Sequence, residues 1–194
     1  MSFQNNIVEV LQLEHHYIKD LMLQYNKAPH AMDKYKLALK ICHEISVHML
    51  GKEISMNFLM VIVEDQIFYP VVKHVVPTGV QAAEYSDREH SAIKELCKEL
   101  ENASPENTKF FDMMDELQKE FNRHSFAEEN MIIPAFVQEI TPIKLKELGE
   151  AFVKSKKAAD RIAIRRSTYL YRKVKENLHI FQGDYYFTFL YNVM

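Results

Sequence analysis

The sequence predicts an all-α protein, an up-down antiparallel four-helix bundle with an extra C-terminal helix and an aromatic tail. Of its 194 residues only 4 are Gly and 6 are Pro, too few turn-forming residues for a many-stranded sandwich or barrel. Apolar residues recur at spacings of three and four over long segments, which is the periodicity of amphipathic helices. Because the connections between these segments are short, neighbouring helices are expected to be antiparallel.

The first half of the chain contains two clear helical patterns. Residues 4–25 and residues 32–48 place apolar side chains on one face of a helix. Residues 58–63 are six consecutive apolar residues without helical periodicity, so the pattern leaves them unassigned. Residues 64–75 are predicted to be helical again.

The second half begins with a predicted amphipathic helix over residues 81–101. Ser104-Pro105 and Thr141-Pro142 each combine a capping side chain with a proline at the first helical position, which is a signal for a helix start. They predict a fourth bundle helix that continues to about Ile140 and a fifth helix that runs through Phe152.

The net charge differs between two regions of the chain. Residues 1–141 contain 13 Lys and Arg against 22 Asp and Glu, a net charge of −9, whereas residues 142–194 contain 11 against 5, a net charge of +6. We therefore predict a bundle domain in the first region and a basic C-terminal helix with an aromatic tail in the second. An acidic bundle excludes a nucleic-acid partner, because such binding depends on basic residues that neutralise phosphates.

The sequence also predicts a cytoplasmic protein. It contains no run of 18 uncharged apolar residues, so no transmembrane segment is expected, and its amino terminus lacks the pattern of a signal peptide. Cys42 and Cys97 are not in a Cys-x-x-Cys arrangement, which favours reduced, structural thiols.

An internal repeat with an offset of about 75 residues carries the functional signal. The segment Glu14–Leu21 matches Glu89–Leu96, and each copy has a second histidine downstream, 33 residues after His15 and 34 after His90. Each copy also contains an acidic residue followed by apolar residues and a proline, in Glu64–Pro70 and Glu128–Pro134. Glu64 therefore corresponds to Glu128.

The repeat defines a set of candidate metal ligands in the core of the bundle. His124 and Glu128 are four residues apart, so they share one face of a helix. Burying so many titratable groups without a metal would be costly in desolvation. Nitrogen and carboxylate ligands suit a pair of iron or manganese ions. The candidate ligands are His15, His48, Glu64, His90, His124 and Glu128.

At these residues the sequence resembles the hemerythrin-like HHE cation-binding family, over roughly residues 5–140. The resemblance implies an up-down four-helix bundle with a non-haem di-iron centre that handles oxygen, nitric oxide or iron. Carried over by position, the four histidines would be terminal ligands, and Glu64 and Glu128 would be bridging carboxylates.

The first copy departs from the pattern of the second. His48 and Glu64 are 16 residues apart, where His124 and Glu128 are 4 apart, an excess of 12 residues at about 50–62. Either this insertion loops out and Glu64 still reaches the centre, or Glu64 is not a ligand and the insertion has damaged the site. Glu44 is a candidate substitute, whereas Glu53 is poorly oriented.

Several other polar residues are interpreted as lying outside the centre. His16 faces about 100° away from His15 on the same helix. Asp65 and Glu129 are interpreted as solvated neighbours of the bridging acids, and Tyr17 as a packing residue. The remaining histidines have no counterpart in the repeat: His30, His43, His74 and His179.

The carboxy-terminal region is basic and then aromatic. A basic amphipathic helix can pack on the acidic bundle or rest on an anionic membrane, and packing on the bundle is the preferred interpretation. The last 26 residues contain 8 of the 22 aromatic residues, so we expect them to cover the bundle, a second copy of the chain or another partner.

The leading functional hypothesis is a non-haem di-iron protein that binds oxygen or nitric oxide, or senses or stores iron. The alternatives are a di-iron enzyme, with peroxidase-like or oxidase-like activity or repair of iron centres, and an interaction protein with a damaged site. We favour the non-enzymatic hypothesis.

Overall fold

The computed structural model describes residues 6–49, 64–104 and 106–157, and within them it contains helices and no strand. The elements, in chain order, are α1 (Ile7–Lys27), α2 (Ala31–Met49), α3 (Glu64–Ile67), α4 (Tyr69–Val75), α5 (Gly79–Asn102), α6 (Phe110–Ala127), a π-helix (Glu128–Ile132), α7 (Ile133–Glu139) and α8 (residues 142–157).

The four long helices form the predicted bundle. α1 contacts α2 and α6, and α5 contacts the same two helices, so the four surround a common core. Residues 28–30 are the whole connection between α1 and α2, and so short a link makes neighbours antiparallel. The short helix α4 packs on α5 and on α7 at one end of the bundle. The all-α fold is therefore confirmed.

Two apolar clusters fill the interior, one on each side of a polar layer. On α1, Leu11 belongs to one cluster and Ile18 to the other, with His15 between them. On α5, Ala83 and Ile93 flank the polar layer in the same way. Because the core on both sides is dry, any polar group in this layer must find its partners within the layer itself.

The start of α8 agrees with the signal in the sequence. The Thr141 side chain accepts a hydrogen bond from the backbone N–H of Lys144 at 3.3 Å, as expected of a capping residue. Leu148 and Phe152 of α8 are buried in the apolar cluster that contains Leu11. This part of the basic region packs on the bundle, as preferred from the sequence.

The predicted start of the fourth bundle helix at Ser104-Pro105 is wrong, because α6 begins at Phe110. The Ser104 hydroxyl accepts from the N–H of Glu106 at 3.2 Å, and the Asn107 side chain accepts from the N–H of Lys109 at 2.9 Å. Such side-chain bonds to nearby backbone offer the chain turns in place of a helix, which delays the helix start.

Two helices predicted as continuous change their hydrogen-bond pattern at equivalent places. The helix over residues 64–75 is interrupted at Phe68, and α6 passes through the π-helix into α7. Pro70 and Pro134 lie in the first turn of α4 and of α7. A proline has no N–H and crowds the preceding turn, so a regular helix cannot pass through these positions unchanged.

Gly79, the first residue of α5, is required by the close approach of α4. A Cβ atom at this position would lie 2.0 Å from the carbonyl oxygen of Val72, so any other residue would force the backbones apart. Val72 itself is buried in the apolar cluster below the polar layer. Gly79 thus keeps the chain between α3 and α5 in position.

Within the described ranges, no helix combines the length and the apolar character that crossing a membrane requires. The two cysteines are buried and free. The unassigned segment 58–63, the insertion at 50–62 and the aromatic tail lie outside the described residues.

Candidate metal centre

The polar layer of the bundle contains all six side chains that the repeat singled out. His15 lies on α1, His48 at the end of α2 and His90 on α5, while His124 is on α6. The carboxylates follow at the start of α3 and of the π-helix. We call these residues the His/Glu cluster: His15, His48, Glu64, His90, His124 and Glu128.

Five members of the cluster offer ligand atoms to one small volume. One atom from each of them lies within 4.8 Å of the others; the five are His15, His48, Glu64, His124 and Glu128. The sixth, His90, is adjacent, since its Nε2 lies 3.3 Å from Nε2 of His124 and 3.7 Å from Oε2 of Glu64. The 12-residue excess in the first copy therefore does not displace Glu64, whose Oε2 lies 3.6 Å from Nε2 of His48.

The atoms that face this volume are buried and lack protein partners. Among the described residues, no hydrogen bond reaches Nε2 of His15 or of His48, either oxygen of Glu64, or Oε2 of Glu128. The contact of His15 Nε2 with Glu128 Oε2, at 3.2 Å, is a close approach without hydrogen-bond geometry. Leaving such groups unsatisfied costs about 1–3 kcal/mol each, and more for a charge. A cation between them would satisfy all of these atoms together, so the residues fit a metal.

The two carboxylates have opposite electrostatic environments. Burial and the neighbouring charge of Glu128 raise the pKa of Glu64 well above its usual range. Burial acts in the same direction on Glu128, but His124 and His15 outweigh it and hold the pKa of Glu128 well below its usual range. Two acids at such close range are not both charged without a nearby cation.

Two of the imidazoles are held in the neutral form that binds metals. Burial, assisted by the adjacent His15, lowers the pKa of His48 well below its usual value. Burial also lowers the pKa of His124, and the opposing effect of Glu128 does not overcome it. A neutral imidazole keeps a lone pair on one nitrogen for a metal.

Two symmetric hydrogen-bonded triads orient a histidine in each copy. His15 Nδ1 donates to Glu129 at 2.8 Å, and Lys19 lies 3.3 Å from the same carboxylate. In the other copy, His90 Nδ1 donates to Asp65 at 2.8 Å, and Lys94 lies 3.6 Å from it. A carboxylate on Nδ1 fixes the ring and leaves Nε2 directed at the metal position.

The remaining histidines are not equivalent. His124 Nδ1 donates to Glu89 at 3.2 Å. Within the described part of the chain, Nδ1 of His48 has no hydrogen-bond partner.

Tyr69 holds the carboxylate of Glu128 from the side opposite the histidines. Its buried hydroxyl donates to Glu128 and lies 2.6 Å from the hydroxyl of Ser86. Burial and the charges of Glu128 and Glu64 raise the pKa of Tyr69 well above its usual value, so it remains protonated and donates. One oxygen of Glu128 is thus bound by the protein, and the other is left for a metal.

Aromatic rings close the His/Glu cluster on the side of the first copy. The ring of Phe121 packs edge-on at 5.9 Å from His15 and lies 6.4 Å from His48. The ring of Phe152, from α8, is also 6.4 Å from His48. These walls exclude water, which strengthens electrostatic interactions in the layer.

The other sequence interpretations have mixed outcomes. Asp65 and Glu129 are not members of the His/Glu cluster, but describing them as solvated neighbours is wrong, because each accepts a histidine N–H. His16 is exposed and bonds the carbonyl of Gln12. Glu44 lies outside the cluster and pairs with Lys156 at 3.7 Å. Glu53 lies outside the described residues.

Sequence reasoning missed Glu89, Tyr69 and the partners of Nδ1. A signal for some of them was present: Asp65 and Glu129 occupy equivalent positions of the repeat, as do Glu14 and Glu89. Paired acidic residues next to paired ligands could have been read as hydrogen-bond partners. Tyr69 has no such counterpart, since Ile133 occupies its place in the second copy.

Comparison with known proteins agrees with this geometry. The family model of the hemerythrin HHE cation-binding domain matches residues 6–136 and, a second time, residues 81–163. The chain belongs to the hemerythrin HHE family. The second match begins 75 residues after the first, which is also the offset between His15 and His90. This HHE domain is a metal-binding protein.

A solved structure supports the fold. The crystal structure of a hemerythrin HHE cation-binding domain-containing protein from Mycobacterium kansasii aligns with a TM-score of 0.61 and 24% identity, over 86% of this chain and 91% of that one. A search among curated proteins gave no significant match.

Proposed function

We propose that this HHE protein holds two iron ions at the His/Glu cluster and binds dioxygen or nitric oxide there, as a sensor, a carrier or an iron store. The observation that carries the proposal is the set of unpartnered, buried ligand atoms that converge on one volume. Each of them is a metal donor, and a cation is the partner that would satisfy nitrogen and carboxylate atoms at once.

The donor set supports iron, with manganese as the second metal. Four imidazoles and two carboxylates are intermediate in softness, and this mixture suits iron and manganese better than calcium or magnesium, which prefer oxygen alone. Neither Cys42 nor Cys97 belongs to the cluster, so thiolate-dependent metals are not favoured.

The number of donors supports two ions with room for a small ligand. Glu64 and Glu128 each offer an oxygen to the same volume, as carboxylates that bridge two ions do. Six protein groups do not complete the octahedral shells of two iron ions, so positions remain for an exogenous molecule. When bound, a pair of iron ions supplies electrons reversibly to a diatomic ligand.

The protein's own contribution is orientation and exclusion of water. Asp65 and Glu129 fix the rings of His90 and His15, and Tyr69 fixes one oxygen of Glu128. Phe121 and the apolar clusters on both sides leave a dry volume. Such a volume favours a small, weakly polar molecule over a charged metabolite.

The test is an absorption titration of ferrous-loaded protein under anaerobic conditions. Addition of dioxygen or nitric oxide is expected to produce a visible charge-transfer band that saturates at one ligand per pair of irons. His16→Ala is the matched control, because His16 is exposed and next to a proposed ligand, and it should retain the band. His124→Ala should lose it.

Two outcomes would contradict the proposal. Loaded protein without a ligand-dependent band would show that the ions are not open to small molecules. Rapid turnover of hydrogen peroxide, with no stable ligand adduct, would favour the enzyme alternative. The cytoplasmic location and a partner for the aromatic tail stay predictions.

A further inference from the structure

His48 lacks the carboxylate that the other three histidines of the cluster possess. Glu129, Asp65 and Glu89 accept a hydrogen bond from His15, His90 and His124, respectively. Among the described residues, neither nitrogen of His48 has a hydrogen-bond partner.

The internal repeat identifies the missing carboxylate as that of Glu14. Glu14 precedes His15 as Glu89 precedes His90. In the second copy, Glu89 uses one oxygen for Nε of Arg123, at 3.1 Å, and the other for His124, at 3.2 Å. The same arrangement in the first copy would join Glu14 to a basic residue and to His48.

In the first copy only the bond to a basic residue is present. Glu14 accepts from the ammonium group of Lys156, which belongs to α8 and also lies 3.7 Å from Glu44. The lysine therefore connects α1 and α2 beside the end of the layer where His48 lies. One turn earlier on α8, Phe152 is fully buried with its ring 6.4 Å from His48.

A cleft separates α8 from α1 next to this ion pair. It has a volume of about 220 Å³, and its lining includes Glu14, Phe152 and Lys156. Space therefore exists beside the carboxylate of Glu14, so its side chain can change rotamer if its bond to Lys156 is lost.

We propose that Lys156 is a positioning residue that holds the carboxylate of Glu14 away from His48, and that the metal position served by His48 is for this reason the more labile of the two. The inference rests on the proposed function, since it requires metal ions at the His/Glu cluster. It makes α8 the element that sets the difference between the two positions.

The physical basis is the effect of a carboxylate on an imidazole ligand. A hydrogen bond to Nδ1 fixes the ring and increases the basicity of Nε2, and losing such a partner weakens metal binding by about 10–100-fold. His48 is without this support while Lys156 occupies Glu14. Removing the charge of Lys156 frees Glu14 to accept from Nδ1 of His48, which should retain the metal longer.

The experiment measures ferrous iron released to an excess of a ferrous-specific chelator, under anaerobic conditions, from the full chain. Wild-type protein should release one iron per chain in a fast phase and the second in a slow phase. In Lys156→Met, the fast phase should slow by about tenfold, as expected for a gained carboxylate partner. In a Glu14→Leu background, Lys156→Met should change neither phase.

Two controls separate positioning from a structural role. Lys157→Met changes the neighbouring lysine of the same cleft, which makes no ion pair with a described residue, and should behave as wild type. Lys156→Arg keeps the charge and should also keep both phases. If Lys156 only fastened α8 to the bundle, its loss would uncover His48 and accelerate release, which is the opposite sign.

A single release phase in the wild type, or an unchanged or accelerated fast phase in Lys156→Met, overturns the inference. Wild-type protein that binds no iron overturns the proposed function instead, so the two failures are distinguishable.

Discussion

The two copies of the repeat contribute similar ligands but hold them differently. In the second copy, His124 and Glu128 are four residues apart on one continuous helical segment, and Glu89 supports the histidine. In the first copy, His48 ends α2, and Glu64 starts a separate four-residue helix. The second half of the site is positioned by local helix geometry, whereas the first depends on packing between distant segments.

This difference shows where the site can tolerate change. A helical spacing of four residues brings two side chains together wherever the helix forms. A ligand such as Glu64, on a short helix, keeps its place only while Phe68, Tyr69 and Val72 remain packed in their cluster. The first half should therefore be more sensitive to changes in the surrounding core.

The largest effect is expected at Phe121, whose ring contacts both histidines of the first copy. Phe121→Ala removes a fully buried ring and should lower the free energy of unfolding by about 3–5 kcal/mol. Chemical denaturation of the metal-free protein measures the change. Phe126→Ala, on the same helix but exposed, should change stability by less than about 0.5 kcal/mol. Equal losses would mean that this ring is not part of the core around the first copy.

The next effect tests the symmetric triads. Asp65→Asn and Glu129→Gln should each raise the dissociation constant for ferrous iron by about 10–100-fold, because each removes the charge that orients one imidazole. Glu95→Gln, an exposed change on α5, is the control. Since both hydrogen bonds measure 2.8 Å, the two losses should be similar. A loss in only one variant would contradict the symmetry of the triads.

A smaller effect is expected from Tyr69, which only the first copy supplies. Tyr69→Phe removes the donor to Glu128 and should destabilise the metal-free protein by about 1.5–3 kcal/mol, the range for a hydrogen bond to a charged group. Thermal or chemical unfolding checks this. Tyr17→Phe, at a half-exposed position on α1, is the matched control and should be silent. Stability unchanged in Tyr69→Phe would mean that Glu128 needs no such support.

The smallest effect compares the helix starts of the two copies. At α1, the Asn6 side chain accepts from the N–H of Glu9 at 3.0 Å, whereas Thr78 before α5 makes no capping bond. Asn6→Ala should cost about 1 kcal/mol of stability, and Thr78→Ala close to nothing. Equal costs, measured by chemical denaturation, would show that the cap of α1 adds no stability.

The bundle and the six clustered residues could be predicted because the information is local or repeated. Helical periodicity predicted the long helices, and the matching segments around His15 and His90 indicated which polar residues belong together. The start of α6 was missed because hydrogen bonds of Ser104 and Asn107 replace a helix there. The π-helix after Ala127 was missed because no pattern of residue types specifies it.

The hydrogen-bond partners of the histidines could not be predicted because they cross between copies. Asp65 bonds a histidine of the second copy, and Glu129 bonds one of the first. Lys156 reaches Glu14 from 142 residues away along the chain. Such contacts depend on how helices pack around the polar layer, which composition and spacing do not reveal.

The most direct test of the account is the number of irons per chain after expression in iron-supplemented medium, for the wild type, Glu64→Ala, His124→Ala and the exposed control Glu84→Ala. The account predicts two irons in the wild type and in the control, and fewer in both other variants. One iron or none in the wild type, with Glu64→Ala unchanged, would contradict it and show that the first copy holds no metal.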